Sequence, residues 1–119
     1  MRIVLVAVLL ASLTACGGGG GTQYASAAAV AKAANCTGFT QEAQGDLEMF
    51  VTEAGTCSLG GDNVTVNWFK DGSAVSRYAQ VAASAGSGTY LLVGGNFVIE
   101  GGTKAELTTA KAAVGGKVQ

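Results

Sequence analysis

The sequence contains no histidine and no proline, and only 7% of its residues are aromatic. Without histidine, Ser-His-Asp and Cys-His catalytic arrangements cannot be assembled, and metal sites built on imidazole are excluded. Seven Lys and Arg stand against eight Asp and Glu, and the basic residues form no cluster. Because nucleic acid binding needs a basic surface for the phosphates, nucleic acid is not expected as a partner. No metal site and no cofactor are expected.

The acidic residues could still form a catalytic site without histidine, because two carboxylates alone can hydrolyse a glycoside. Glu42, Asp46, Glu48 and Glu53 lie within one segment. The simpler interpretation is a solvated acidic surface on a strand and loop, since a body this small has little room for the long substrate cleft of a wall-degrading glycosidase. We therefore expect no enzymatic activity, and a small cell-wall hydrolase or inhibitor stays as an alternative.

The N-terminal segment combines a positively charged start with an apolar run. Met1 and Arg2 precede residues 3–13, which are apolar except for Ser12. This run is shorter than the roughly 20 apolar residues of a membrane-spanning helix, and five glycines follow at 17–21. Charge, apolar core and small residues in this order indicate a secretory signal.

The four residues Leu13, Thr14, Ala15 and Cys16 resemble the lipobox of bacterial prolipoproteins. In that family the signal peptide is cut before the cysteine, here between Ala15 and Cys16, and the cysteine carries a diacylglycerol group. Two acyl chains hold a protein firmly on a membrane. An ordinary signal peptide with an incidental cysteine is the alternative.

The lipobox resemblance implies a division of the chain into three parts. Residues 1–15 are the lipoprotein signal peptide, residues 16–22 are the lipidated cysteine with its glycine-rich tether, and residues 23–119 are a single domain. The six tether residues after the cysteine span about 13 Å if they are flexible. The expected location is the extracytoplasmic side of the cell membrane, with the membrane itself as one partner.

Three cysteines are an odd number for an exported protein. If Cys16 carries lipid, Cys36 and Cys57 remain as an even pair, and an oxidising compartment favours a disulfide between them. A redox or metal pair is the alternative reading of these two residues. Metal sites prefer closely spaced cysteines together with further ligands, which makes the disulfide the better prediction.

Hydrophobic periodicity and turn residues predict an α+β domain. The expected order is a helix at 25–34, strands at 47–52, 56–59 and 64–69, a helix between Ser73 and Gly86, a hairpin of strands at 90–93 and 97–100, and a helix at 103–114. The last helix has the clearest start, because Thr103 and Glu106 fit a capping box. We expect a small antiparallel sheet of four to five strands, with two to three helices packed on one side and one disulfide.

Large side chains in these elements are expected in the core. The alternation in the strand at 64–69 places Val64, Val66 and Trp68 on one face and Thr65 and Asn67 on the other. The aromatic side chains could instead form a recognition patch, but their strand and helix spacing favours packing in the core; they are Trp68, Phe69, Tyr78 and Phe97.

Five different local patterns follow one another along residues 25–100. They are the alanine-rich helix ending in Ala34-Asn35-Cys36, the Glu-x-Gly-x-Cys step at 53–57, the Val-x-Val-x-x-Phe strand at 64–69, Tyr78, and the Val-Gly-x-x-Phe-x-Ile hairpin at 93–99. This series resembles small exported proteins and lipoproteins of actinobacteria, and small lipoproteins carried by actinobacteriophages. The resemblance implies the Cys36–Cys57 disulfide and the α+β layout, and it supplies no catalytic residue.

Together these features predict a membrane-anchored extracytoplasmic lipoprotein that acts as a binding or interaction module of unknown ligand. An envelope or phage protein is the candidate second partner. One alternative is a phage-encoded lipoprotein for superinfection exclusion or immunity, which neighbouring phage genes would support. The other is the small cell-wall hydrolase or inhibitor.

Overall fold

The computed structural model describes residues 22–47, 50–84 and 89–119. Its elements are α1 (Ala27–Ala33), β1 (Thr37–Gln41), a 3₁₀ turn (Gln44–Asp46), β2 (Glu53–Leu59), β3 (Asp62–Trp68), α2 (Ala74–Ser84), β4 (Leu91–Val93), β5 (Phe97–Gly101), α3 (Lys104–Val114) and β6 (Lys117–Val118). The strands form one sheet in the order β1-β2-β3-β5-β4-β6, and every pairing is antiparallel. The α+β class is confirmed, with six strands instead of four to five. Within the described ranges, no helix has both the length and the apolar character needed to span a bilayer.

Helices α1 and α3 lie on the same face of the sheet, which we call the first face. The strands present Val64, Val66 and Ile99 there, as the period of two along each strand requires. α1 adds Val30 among alanines and α3 adds Leu107, and both residues are fully buried. Small alanine side chains let α1 approach the sheet closely, so this face holds the larger of the two apolar clusters.

Cys36 and Cys57 form the predicted disulfide. Asn35 ends α1 with a positive φ of 61°, a conformation that asparagine tolerates better than most residues. The chain thereby turns Cys36 toward Cys57 on β2, and both residues are buried on the first face. The bond joins α1 to the sheet and encloses the edge strand β1.

Helix α2 lies on the opposite face, which we call the second face. Phe69 follows β3 and points to that side, where it contacts Tyr78 edge to face with 5.4 Å between ring centroids. Val75 of α2 and Val98 of β5 complete a smaller apolar cluster with these rings. Two of the three helices therefore share one side as predicted, whereas α2 does not, because Phe69 directs the connection after β3 to the second face.

Two strands lie where the sequence pattern did not predict them. β1 lies between the predicted helix at 25–34 and the predicted strand at 47–52, where no element is predicted. It is an exposed edge strand that half-buries only Phe39 and carries a bulge at Gly38. β6 has only two residues and pairs with β4. The strand expected at 47–52 is wrong for its described residues, since Phe50 has a φ of 75° and lies in a turn. Glu48 and Met49 lie outside the described residues.

Two further local predictions agree with the structure. Helix α3 begins with the predicted capping box: Glu106 N donates to Thr103 Oγ1 and Thr103 N donates to Glu106 Oε1, each at 3.1 Å. The hairpin of β4 and β5 forms around residues 94–96, with Gly94 N donating to Phe97 O at 2.8 Å. Gly86, the predicted end of the second helix, lies outside the described residues.

Candidate functional site

The part of the second face that α2 leaves uncovered forms a pocket of about 390 Å³, which we call the polar pocket. Its lining combines carboxylates, amides and hydroxyls with a small amount of backbone. The described lining residues are Glu42, Asp46, Ala54, Asn63, Thr65, Asn67, Thr89, Glu100 and Gly101. No aromatic, lysine or arginine side chain is among these described residues, so the wall is polar and its formal charge is negative.

The floor of the polar pocket is built by β3. Asn63, Thr65 and Asn67 alternate along this strand and therefore share the second face. The neighbouring strands complete the floor, because Thr65 pairs with Glu100 of β5 and Asn67 pairs with Ala54 of β2. Ala54 and Asn67 are both almost fully buried, so they form the deepest part of this floor.

Glu100 is held in a fixed orientation at the boundary between α2 and the polar pocket. Its Oε1 accepts hydrogen bonds from the Tyr78 hydroxyl and from Asn67 Nδ2, the latter at 2.9 Å. Tyr78 is buried in the cluster under α2, so its hydroxyl acts as a positioned donor. No described residue donates to Oε2 of Glu100, and this oxygen is available to a ligand.

Asn67 is a buried polar residue in the middle of the sheet, with only 2% of its surface exposed. Its Nδ2 donates to Val98 O at 3.3 Å and to Glu100 Oε1. Its Oδ1 receives no hydrogen bond from the described residues. Since no fully buried side-chain oxygen or nitrogen among them lacks a partner, that carbonyl oxygen is not sealed off and opens into the polar pocket.

Glu42 and Asp46 form the rim of the polar pocket on the side of the edge strand. Glu42 follows β1, and its backbone N–H donates to Ala54 O at 2.7 Å. Asp46 ends the 3₁₀ turn, where its N–H donates to Ala43 O at 2.9 Å. Among the described residues no three Asp, Glu or Cys lie close enough together to hold a metal ion.

The structure separates the four acidic residues that the sequence groups together. Glu42 and Asp46 lie at the polar pocket, and Glu48 lies outside the described residues. Glu53 is on the first face, where its Oε1 accepts a hydrogen bond from Ala27 N at 3.0 Å and caps the start of α1. The third carboxylate of the polar pocket is Glu100, which the sequence analysis did not select.

The lipidation and cleavage residues predicted at Cys16 and Ala15 lie outside the described residues. The structure does show how the chain is held just after the predicted tether. Trp68 Nε1 and Asn96 Nδ2 both donate to Tyr24 O, at 2.7 and 2.8 Å, and Tyr24 N donates to Asn96 Oδ1 at 3.0 Å. This Tyr24 clamp fixes the N-terminal side of the domain to the end of the sheet where β3 finishes and β5 starts.

Asp71 is an acidic residue remote from the polar pocket, in the turn before α2. Ser73 donates its backbone N–H and its hydroxyl to Asp71 Oδ1, at 3.0 and 2.8 Å. These local hydrogen bonds hold the pKa of the Asp71 carboxyl below its usual value of 3.8. Its backbone carbonyl also accepts from Ala74 N at 3.0 Å, so these contacts shape the turn that starts α2.

Sequence reasoning missed Asn67 and Glu100 as site residues, although one signal was present. Thr65 and Asn67 place polar side chains on one face of the most regular strand, and a polar face on a central strand needs either solvent or partners. The missing information was that β3 is central and that β5 lies beside it, so the Asn67 amide and the Glu100 carboxylate meet only through the sheet order.

Comparison with models of protein families, with curated proteins and with solved structures finds no match to this chain.

Proposed function

We propose that this chain is a membrane-anchored extracytoplasmic lipoprotein whose domain binds a ligand in the polar pocket and does not transform it. The anchor rests on the lipobox at 13–16 and the glycine tether behind it. The observation that carries the binding role is the polar pocket itself, an open polar surface on the second face in which hydrogen bonds orient the Glu100 and Asn67 side chains.

The position of the Tyr24 clamp supports display of the polar pocket away from the membrane. The clamp is at Trp68, the last residue of β3, and Asn63 marks the outer end of the pocket five residues earlier on that strand. At about 3.4 Å per residue, the outer end lies about 17 Å along the sheet from the clamp. A tether of six residues adds about 13 Å of reach, which keeps this end accessible above a lipid surface.

Replacement of Cys16 by serine is expected to abolish lipid attachment. Serine has no thiol for the diacylglycerol thioether, so metabolic labelling with an alkyne fatty acid should fall from strong incorporation to background. Intact mass spectrometry should show a chain that keeps residues 1–15. The matched control is Cys36→Ser, which removes a cysteine outside the lipobox and should keep the label. Undiminished labelling of Cys16→Ser would refute the anchor.

A hydrolytic role is the second candidate, because Glu42 and Asp46 share the polar pocket with Glu100. A glycosidase needs one carboxylic acid and one carboxylate across the scissile bond. The binding role instead predicts that the full chain releases no soluble fragments from purified cell walls above a no-protein control. Release that is lost in Glu42→Gln or Asp46→Asn, and kept in Asp71→Asn, would establish the hydrolase and overturn the binding role.

A further inference from the structure

We infer that the polar pocket recognises a primary ammonium group, of the kind that a lysine side chain presents. The inference rests on the proposed binding function and names the chemical class of the ligand. It is carried by the charge of the lining, by two oxygens that accept no hydrogen bond from the described residues, and by the way Glu100 is already hydrogen-bonded.

The charge of the polar pocket selects a cation. Glu42, Asp46 and Glu100 are its ionisable groups among the described lining residues, and no basic side chain in that set offsets them. A concave surface lined by one sign of charge concentrates the field and attracts ligands of the opposite sign. Phosphates, sulfates and carboxylates are repelled by the same arrangement.

The polar-pocket oxygens that no described residue pairs favour a ligand that donates hydrogen bonds. Asn67 Oδ1 opens into the pocket without a donor from the described residues, and its side chain is 98% buried and cannot turn away to bulk water. Ionised carboxylates are acceptors only. A ligand that donates a hydrogen bond to this oxygen therefore pairs an acceptor that no described residue pairs, at a position where the surrounding side chain is held in place.

The state of Glu100 favours ammonium over guanidinium. Its Oε1 already accepts from Tyr78 and Asn67, whereas its Oε2 accepts no hydrogen bond from the part of the chain that the structure describes. A guanidinium achieves its strongest contact with both oxygens of one carboxylate. An ammonium has three donors that can bond to separate acceptors. Glu100 Oε2 and Asn67 Oδ1 are two such acceptors, on the neighbouring strands β5 and β3.

The test is a titration of the full chain in an uncharged detergent with Nα-acetyl-lysine methylamide, followed by NMR. The expected result is a saturable shift of the Asn67 side-chain amide. The same probe acetylated on its side-chain nitrogen should give none, because it has lost the charge and two donors. The arginine analogue should bind at least about threefold more weakly, and added salt should weaken binding of the lysine probe.

Glu100→Gln is the matched variant, because glutamine keeps an Oε1 that can accept from Tyr78 and Asn67 while it loses the charge. We expect its affinity for the lysine probe to fall about tenfold, as for loss of a charge-assisted hydrogen bond. Asp71→Asn removes one charge outside the pocket and should change affinity less than twofold. If Glu100→Gln does not fold, Glu42→Gln at the rim should still lower affinity about threefold.

The outcomes separate this inference from the proposed function. Equal binding of the lysine probe and its acetylated form, or no saturable shift with the lysine probe, overturns the ammonium assignment. If only the arginine probe or only the acetylated probe gives a saturable shift of the Asn67 amide, the ammonium assignment is overturned. The binding function of the polar pocket would then still stand. The anchor has its own readout in the labelling of Cys16, which none of these titrations affects.

Discussion

Replacement of Phe97 by alanine is expected to lower the free energy of unfolding by about 3–5 kcal/mol. The ring is fully buried at the start of β5, with Tyr24 edge to face at 5.6 Å between centroids. Backbone also surrounds it closely: a Cβ placed on Gly94 would be 2.2 Å from the ring. Backbone atoms move little to fill a cavity. The expected loss in free energy of unfolding is therefore in the upper part of the range for replacement of a buried phenylalanine by alanine.

Urea unfolding followed through Trp68, the one tryptophan in the sequence, measures this effect. The matched control is Phe50→Ala: its ring is 38% exposed and contacts Arg77, so its removal should be worth less than about 1 kcal/mol. Phe97→Leu retains most of the volume and should lose less than about 1.5 kcal/mol. An unfolding midpoint of Phe97→Ala equal to that of Phe50→Ala would contradict the packing described for this ring.

Removal of the disulfide by the double substitution Cys36→Ala and Cys57→Ala is expected to lower the free energy of unfolding by about 3 kcal/mol. The bond closes a loop between residues 21 positions apart, and its loss returns that loop entropy to the unfolded chain. Both residues are buried in the larger cluster, so alanine also leaves unfilled volume on the first face. Marginal stability of small domains makes this a substantial fraction of the total.

The same unfolding assay tests the disulfide with a second, independent comparison. Wild-type chain in strong reductant should unfold within about 1 kcal/mol of the double variant, whereas reductant should leave the double variant itself unchanged. A wild-type midpoint that does not move with reductant would show that the bond contributes nothing to stability.

The predictable parts of this fold are those where the local chemistry determines the structure. The capping box at Thr103 and Glu106 and the glycine turn at 94–96 satisfy their own backbone hydrogen bonds, and both formed as expected. β1 and β6 escaped prediction because an edge strand of mostly exposed residues, or one of two residues, has no hydrophobic alternation to detect. Their existence depends on the free edges of β2 and β4.

The candidate site could be predicted only in part. Glu42 and Asp46 are close in sequence, and both lie at the polar pocket. Glu100 lies 54 positions after Asp46 and joins them only because β5 inserts beside β3. The hydrogen bonds from Tyr78 and Asn67 that orient its carboxylate come from two further elements. No spacing rule within the chain contains that information.

The Tyr24 clamp and the disulfide together determine how this domain responds to mechanical force on its N-terminal side. A pull on residue 22 first loads the hydrogen bonds at Tyr24 and can then peel α1 from the first face. At Cys36 the peeling stops, because the covalent bond to Cys57 passes the load directly into β2, which is paired on both sides. Unravelling is thus limited to about 14 residues, all on the side of the sheet opposite the polar pocket. If the chain is anchored through its N-terminal side as proposed, the polar pocket therefore keeps its structure under such a load.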